Sequence, residues 1–338
     1  MARMLALTVL IALTTLGLAR SAVAADAAKP PEEPKDAVMG LYVGTYNPAT
    51  SKAVAQLEAD VINLGQGGYR AVLFLLTRNA TGPLAELTGK AEGGKVTLAG
   101  KAGEVEWKGA IADGQLAAES KDGTVAAKLT EKKPPTLGMK PPAGAAVLIP
   151  FEEGKPPAMD EWANPAWVPM TDGSVLVAGG DNRTKRLFGD MKLHLEFRIP
   201  VEPEGKGQDR GNSGVYIQDL YEIQILDSFG LVPGPGDCGS VYQRTAPKAN
   251  ACLPPGQWQT YDITFLAPRF DADGKKVKDA VVTVVQNGTE VQKDQAIEGP
   301  TGQAKGRPEV KAAALRLQEH KHPVRFRNVW IVENGSAE

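Results

Sequence analysis

The chain has 338 residues, with 38 lysines and arginines against 40 aspartates and glutamates, and 42% of its residues are hydrophobic. This composition is that of a folded protein of one large or two ordinary domains, and it excludes a disordered or fibrous chain. A formal net charge of −2 provides no general basic field, so we expect no nucleic-acid partner.

The N-terminus has the three parts of a secretory signal peptide. Arg3 precedes an apolar run over residues 4–19, and Ala22-Val23-Ala24 supplies the small residues of a cleavage site. The run is shorter than the roughly 20 residues that a membrane-spanning helix needs, and no cysteine near the cleavage site could carry a lipid. We therefore expect cleavage after Ala24 and a periplasmic or secreted protein without a membrane anchor.

Residues 38–131 form the first predicted folded region, after a leader of residues 25–37 whose proline, alanine and charge predict disorder. Gly-Gly and Asp-Gly dipeptides separate its short apolar segments and supply the positive φ angles of tight hairpins. This pattern predicts a small antiparallel β-domain. Apolar residues at helical spacing behind Ser51 also predict one helix over residues 51–64. The predicted strands are residues 69–76, 95–99, 104–107, 115–119 and 124–129.

The second region, residues 145–334, follows a proline-rich linker of residues 132–144. Long helical patterns are absent, and many short strands in a region of this length predict a two-sheet sandwich or jelly roll. Asn287-Gly288 directly follows an apolar strand and predicts a hairpin. The fold class is therefore all-β. The predicted strands are residues 174–178, 192–199, 213–218, 221–226, 261–267, 280–286, 314–318 and 324–332.

The two cysteines, Cys238 and Cys252, both lie in the second region. In an exported protein such a pair favours a disulfide over a metal site, because no histidine is near either residue. The alternative is two buried free thiols.

Polar residues alternate with apolar ones in several predicted strands, and successive side chains of a strand point to opposite faces. In residues 192–199, His194, Glu196 and Arg198 thus share the face opposite the apolar residues. Such a polar face with nearby tryptophans suits carbohydrate, and the alternative is an ordinary solvated sheet face. The same alternation groups Tyr216 with Gln218, Glu222 with Gln224, and Arg316 with Gln318 and His320.

Cofactor and metal signatures are missing from the sequence. It contains no nucleotide-binding glycine loop, no HExxH and no GxSxG motif. His320 and His322 would share a strand face, but no carboxylate cluster accompanies them. We therefore predict neither a cofactor nor a bound metal.

Several long segments resemble the core of the bacterial 3-keto-disaccharide hydrolase domain, a family long known only as a domain of unknown function. They include FGDMKLHLEFRIP (188–200), RGNSGVYIQDLYEIQILDSFGL (210–231), CGSVYQ (238–243) and LQEHKHPVRFRNVWI (317–331). The similarity covers nearly all of residues 145–334, and the linker resembles that of two-domain exported members. The resemblance implies a concanavalin A-like jelly roll.

The resemblance also implies an activity, the cleavage of glycosides whose sugar carries a ketone at C3. That ketone acidifies the C2 proton, so a base can remove it, the C1 leaving group departs by elimination and water adds back. Such a reaction needs a base near C2, a donor to the C3 oxygen and an acid for the leaving oxygen. The residues at matching positions are Glu196, Arg198, Asn212, Tyr216, Glu222, Gln224, Asp227, Gln318, His320, Arg325 and Arg327.

Within this set, His320 or Glu222 is the predicted base, and Glu196 is a further catalytic candidate. Arg198 and Asn212 are predicted to hold the enediolate oxygen, and Tyr216 is the predicted acid. The others are predicted to bind the sugar.

Lys321 departs from the family pattern, in which a glycine usually follows the histidine of the LQ-H motif. A lysine there could crowd a loop that glycine would let turn freely. The alternative to an enzyme is a carbohydrate-binding jelly roll without catalysis, because a fold does not fix a function.

Overall fold

The structure, a computed structural model, describes residues 28–32, 36–76 and 82–333. The predicted signal peptide and residues 25–27 and 33–35 of the predicted leader lie outside these residues. The described residues form 22 β-strands and two 3₁₀ turns, Gly207–Asp209 and Gly302–Ala304, and they include no α-helix. No helix in the described part of the chain could therefore cross a membrane. The chain is all-β, as the sequence predicted.

The N-terminal strands form a closed antiparallel barrel. Each strand pairs with the next along the chain, and the last pairs with the first. Tyr42, Leu57 and Trp107 are among the buried side chains that fill its interior. The strands are β1 (Gly40–Pro48), β2 (Ala55–Asn63), β3 (Gly68–Leu75), β4 (Ala85–Glu92), β5 (Lys95–Ala102), β6 (Val105–Ala112), β7 (Gln115–Ser120) and β8 (Gly123–Leu129).

The helix predicted over residues 51–64 is wrong, because this segment contains β2. Leu57 and Val61 fit both a helical and a strand period, but the fully buried Ala59 between them fits only the strand. Val54 and Leu64, which extended the helical pattern, are 57% and 44% exposed.

The second part of the chain contains fourteen strands within the described residues. They are β9 (Ala146–Ile149), β10 (Val168–Pro169), β11 (Val175–Leu176), β12 (Asn182–Arg183), β13 (Met191–Arg198), β14 (Ser213–Ile217), β15 (Tyr221–Ile225), β16 (Trp258–Leu266), β17 (Arg269–Phe270), β18 (Lys276–Lys278), β19 (Ala280–Gln286), β20 (Thr289–Ile297), β21 (Arg316–Leu317) and β22 (Arg325–Glu333).

Two sheets pack face to face in this jelly roll. The larger has the order β10-β11-β22-β13-β16-β19-β20, with β9 also paired to β22, and the smaller has the order β12-β21-β14-β15. Apolar side chains of both sheets form the core, where the rings of Tyr221 and Phe265 lie 5.6 Å apart. The predicted hairpin at Asn287-Gly288 is confirmed, with positive φ at both residues between β19 and β20.

Cys238 and Cys252 are buried free thiols in this structure, and the two side chains hydrogen-bond to each other. The predicted disulfide stays a prediction. Here each sulfur is enclosed by polar groups. The Cys238 sulfur lies 3.2 Å from the Tyr261 hydroxyl, and the Cys252 sulfur lies 3.6 Å from the carbonyl oxygen of Leu226.

Candidate active site on the outer face of the smaller sheet

The pairing of β14 with β15 brings polar side chains together on the outer face of the smaller sheet. Tyr216 is paired with Glu222, and Gly214 with Gln224, whereas Val215 points into the core. These side chains line a cavity of about 270 Å³ that the sheet shares with four loops. Its lining residues are Gln208, Asn212, Tyr216, Glu222, Gln224, Tyr242, Gln243, Gly302, Gln303, Gln318 and His320.

Glu222 lies at the floor of this cavity and is 2% exposed. Two glycines leave room for its carboxyl group, because a Cβ at Gly214 would lie 2.6 Å from Oε1 and one at Gly302 would collide with Oε2. Burial raises the pKa of Glu222 to about 7, although hydrogen bonding to Tyr216 and the charge of Arg316 oppose the shift. Its Oε2 has no hydrogen-bond partner among the described residues. Glu222 can therefore take a proton near neutral pH.

Tyr216 is held beneath the guanidinium of Arg316, which lies 3.5 Å from the centre of the tyrosine ring. Arg316 is itself fixed by carboxylates, 2.6 Å from Asp181 and 2.5 Å from Asp219. Burial and the neighbouring Glu222 carboxylate raise the pKa of Tyr216, which keeps its hydroxyl protonated. The phenol is thus a positioned hydrogen-bond donor beside Glu222.

Side-chain amides form one wall of the cavity. Asn212 donates to the carbonyl oxygen of Gln208 at 2.7 Å. The Gln224 amide lies between Gln208 and Glu222: in one orientation its nitrogen is 3.0 Å from Gln208 Oε1, and in the other it is 3.3 Å from Glu222 Oε1. The Oε1 of Gln318 is buried without a partner among the described residues. Amides that both donate and accept are well suited to sugar hydroxyls.

His320 lies at the rim of the cavity and is exposed. Its ring is parallel to that of His322 at 6.1 Å, and His322 is bound to Glu202 at 2.6 Å. Lys321, between them, has φ +66°, the left-handed conformation that favours glycine. The described residues contain no group of three or more potential metal ligands.

Five residues of the predicted set do not line the cavity. Glu196 and Arg327 form an ion pair at 2.7 Å on the outer face of the larger sheet, where Glu196 also accepts a hydrogen bond from the backbone of Gly138 in the linker. Arg198 ends β13 in the same sheet. Arg325 is buried and bound to Asp172. Asp227 is buried and bound to Arg210.

Five lining residues were missed by the sequence analysis, and all lie outside regular strands. Gln208 belongs to one 3₁₀ turn, Gly302 and Gln303 belong to the other, and Tyr242 and Gln243 follow β15 in a long loop. The predicted residues came from strand alternation and from the matched family motifs, and alternation does not extend into loops. The segment CGSVYQ contains Tyr242 and Gln243 and was already part of the resemblance, so it could have supplied these two.

An all-β jelly roll with a buried carboxyl group in an amide-rich cavity has the fold and the groups of a glycosyl-hydrolase-like protein. Residues 149–332, more than half of the chain, match the family model of the 3-keto-alpha-glucoside-1,2-lyase-like domain. The chain belongs to this family.

Solved structures of Parabacteroides distasonis proteins are similar to the chain. One candidate glycosyl hydrolase is 36% identical with a TM-score of 0.52, and the match covers 58% of this chain and 86% of that one. Another is 21% identical with a TM-score of 0.39, over 56% of this chain and 99% of that one. The comparison with curated proteins gave no match.

Proposed function

We propose that the chain cleaves 3-keto-glycosides by removing the C2 proton, eliminating the C1 leaving group and adding water to the product. The family and the similar structures support an activity of the glycosyl-hydrolase type. The observation that carries the specific reaction is the buried Glu222, whose pKa is raised to about 7 inside a polar cavity. A base works best when its pKa is close to the working pH.

Glu222 is the base in this proposal. Its carboxylate takes the C2 proton, and the C2–H electrons form the enolate that the C3 ketone stabilises. The C1–O bond then breaks as a C1–C2 double bond forms. Of the two bases predicted from the sequence, Glu222 is preferred over His320 because it is buried among the reacting groups, whereas His320 is exposed at the rim.

Tyr216 is the acid that protonates the departing C1 oxygen. Its hydroxyl stays protonated because its pKa is raised, and it lies beside Glu222. In the second half of the reaction, water adds its oxygen to C1 and gives a proton to the Tyr216 oxygen. Protonated Glu222 then returns its proton to C2, so both groups regain their starting state.

The amides hold the sugar and its C3 oxygen. Both Asn212 and Gln318 line the cavity with Glu222. The Gln318 amide supplies an N–H donor for the charge that develops on that oxygen. Asn212, whose N–H groups already donate to Gln208, binds a sugar hydroxyl through its side-chain oxygen. Arg198, the second predicted donor, ends a strand of the other sheet and has no part in this assignment. The reaction needs no cofactor, and the sequence expectation of export would place it outside the cytoplasm.

The test compares the wild-type chain with Glu222→Gln and Glu196→Gln on a chromogenic 3-keto-glucoside. Removing a general base lowers turnover by roughly 10²- to 10⁴-fold. We expect this loss in Glu222→Gln and near-normal kcat in Glu196→Gln, because Glu196 lies on the other sheet. Equal losses in both variants would overturn the assignment of the base. Sugar binding without turnover by the wild-type chain would instead favour a carbohydrate-binding protein.

A further inference from the structure

The outer face of β2 and β3 in the barrel packs against the jelly-roll loop that follows β15. Ile62 and Val72 of the barrel form a buried cluster with Phe229 of the loop. The next residue, Gly230, has φ +70°, and a Cβ there would lie 2.5 Å from the Ile62 side chain. Arg70 donates to the Gly230 carbonyl oxygen at 3.4 Å. The loop is therefore fitted closely to the barrel surface.

Arg210 joins this contact to the polypeptide that forms the cavity wall. Its Nε lies 2.5 Å from the buried carboxylate of Asp227, just before the loop that touches the barrel. Its two terminal nitrogens lie 3.3 Å from the carbonyl oxygens of Pro203 and of Asn63, and Asn63 is the last residue of β2. One buried guanidinium thus connects barrel, loop and residues 202–212.

Residues 202–212 carry two lining residues of the cavity, Gln208 and Asn212. Asn212 is two positions after Arg210 and donates back to the Gln208 carbonyl oxygen, so the turn between them moves as one unit. Glu202 accepts a hydrogen bond from the Gly211 backbone at 2.8 Å and closes the segment at its other end. A displacement of Arg210 would shift both wall amides.

We propose that the barrel acts as a positioning domain for the site, and that Arg210 is the positioning residue through which it sets the place of Gln208 and Asn212. The catalytic groups Tyr216 and Glu222 belong to β14 and β15 and are held by the pairing of these two strands. Loosening the barrel contact should therefore weaken substrate binding more than the chemical step.

The test uses the full chain with Ile62→Asp, which disrupts the contact from the barrel side and leaves the barrel interior unchanged. Thr97→Asp, at an exposed position of β5, is the matched control. For Ile62→Asp we expect faster deuterium exchange over residues 202–212 and a KM raised about five- to tenfold with kcat little changed. Thr97→Asp should match the wild type in both measurements.

Arg210→Lys is the second variant. It keeps a charge beside Asp227 but loses the planar fork that reaches both carbonyl oxygens, so an intermediate rise in KM and exchange is expected. Unchanged exchange over residues 202–212 in Ile62→Asp would overturn the proposal, as would faster exchange with an unchanged KM. Only the kinetic readout rests on the proposed function. A wild-type chain inactive on 3-keto-glycosides would defeat that function, and the exchange measurement would still decide whether the barrel holds the wall segment.

Discussion

The carboxyl group of Glu222 has a raised pKa, and this links its chemistry to stability. In the folded chain its pKa is about 7, against an ordinary value of 4.5, so the folded state binds the proton more tightly than the unfolded state. The stability that protonation provides is fully present below pH 4.5. It is lost as the pH rises through about 7.

Glu222→Gln should therefore stabilise the fold in alkaline solution although it lowers turnover. Glutamine keeps the shape without the buried charge, and a shift of this size is worth at most about 3 kcal/mol. Urea unfolding should show the variant more stable than the wild type at pH 8 and equal to it at pH 4. A variant that is less stable than the wild type at pH 8 would contradict the raised pKa.

Lys321 offers a second test at the scale of one residue. A non-glycine residue in the left-handed region costs roughly 1–2 kcal/mol of stability. Glycine avoids this cost but loses more conformational entropy on folding, so the net gain from glycine is smaller. Lys321→Gly should raise the melting temperature, whereas Lys321→Ala should not, because alanine keeps the Cβ. If both variants gain equally, the charge of the lysine is responsible and not its backbone conformation.

The loop that carries Gly302 closes the cavity over Glu222 and Tyr216. A Cβ at Gly302 would collide with Glu222 and lie 2.7 Å from the Tyr216 hydroxyl, whereas one at Gly306 would meet nothing within 4 Å. Both glycines have positive φ, so alanine strains the backbone at either position. Gly302→Ala should lower kcat by at least roughly tenfold while Gly306→Ala leaves it near normal. Similar kcat values would show that the catalytic pair tolerates displacement.

Strands were more predictable than sites. Alternation placed Tyr216 on the polar face of β14 and Glu222 and Gln224 on the polar face of β15. Pairing of the two strands makes these a single face of the sheet. The same alternation in β13 selected Glu196, which lies in the other sheet, because a polar face does not reveal which strands become neighbours. Gln208 and Gly302 lie in loops, where no periodicity exists to predict them.

At the scale of the whole molecule, Asp60 lies in the contact between barrel and jelly roll. It points outward from β2 toward Gly230. Burial and the neighbouring Glu58 raise its pKa to about 7, although Lys132 opposes the shift. The folded state thus loses stability as the pH rises from the ordinary value of 3.8 through about 7.

Asp60→Asn should remove this loss and make the contact less sensitive to pH. Thermal unfolding should show the variant stabilised at pH 8 and unchanged at pH 4. Glu86→Gln, at an exposed position of β4, is the control and should be neutral at both pH values. A pH dependence of Asp60→Asn identical to that of the wild type would place the titrating group elsewhere.

The position of β22 in the larger sheet has a consequence for the order in which the chain folds. It pairs with β9, β11 and β13, so residues 325–333 stand between strands made much earlier in synthesis. In the barrel every pairing except that of β1 with β8 joins neighbours along the chain. Local pairings form faster than distant ones. The barrel can therefore fold while the chain is still being synthesised. The larger sheet of the jelly roll can form completely only after β22 has been made, and by then the barrel is already folded.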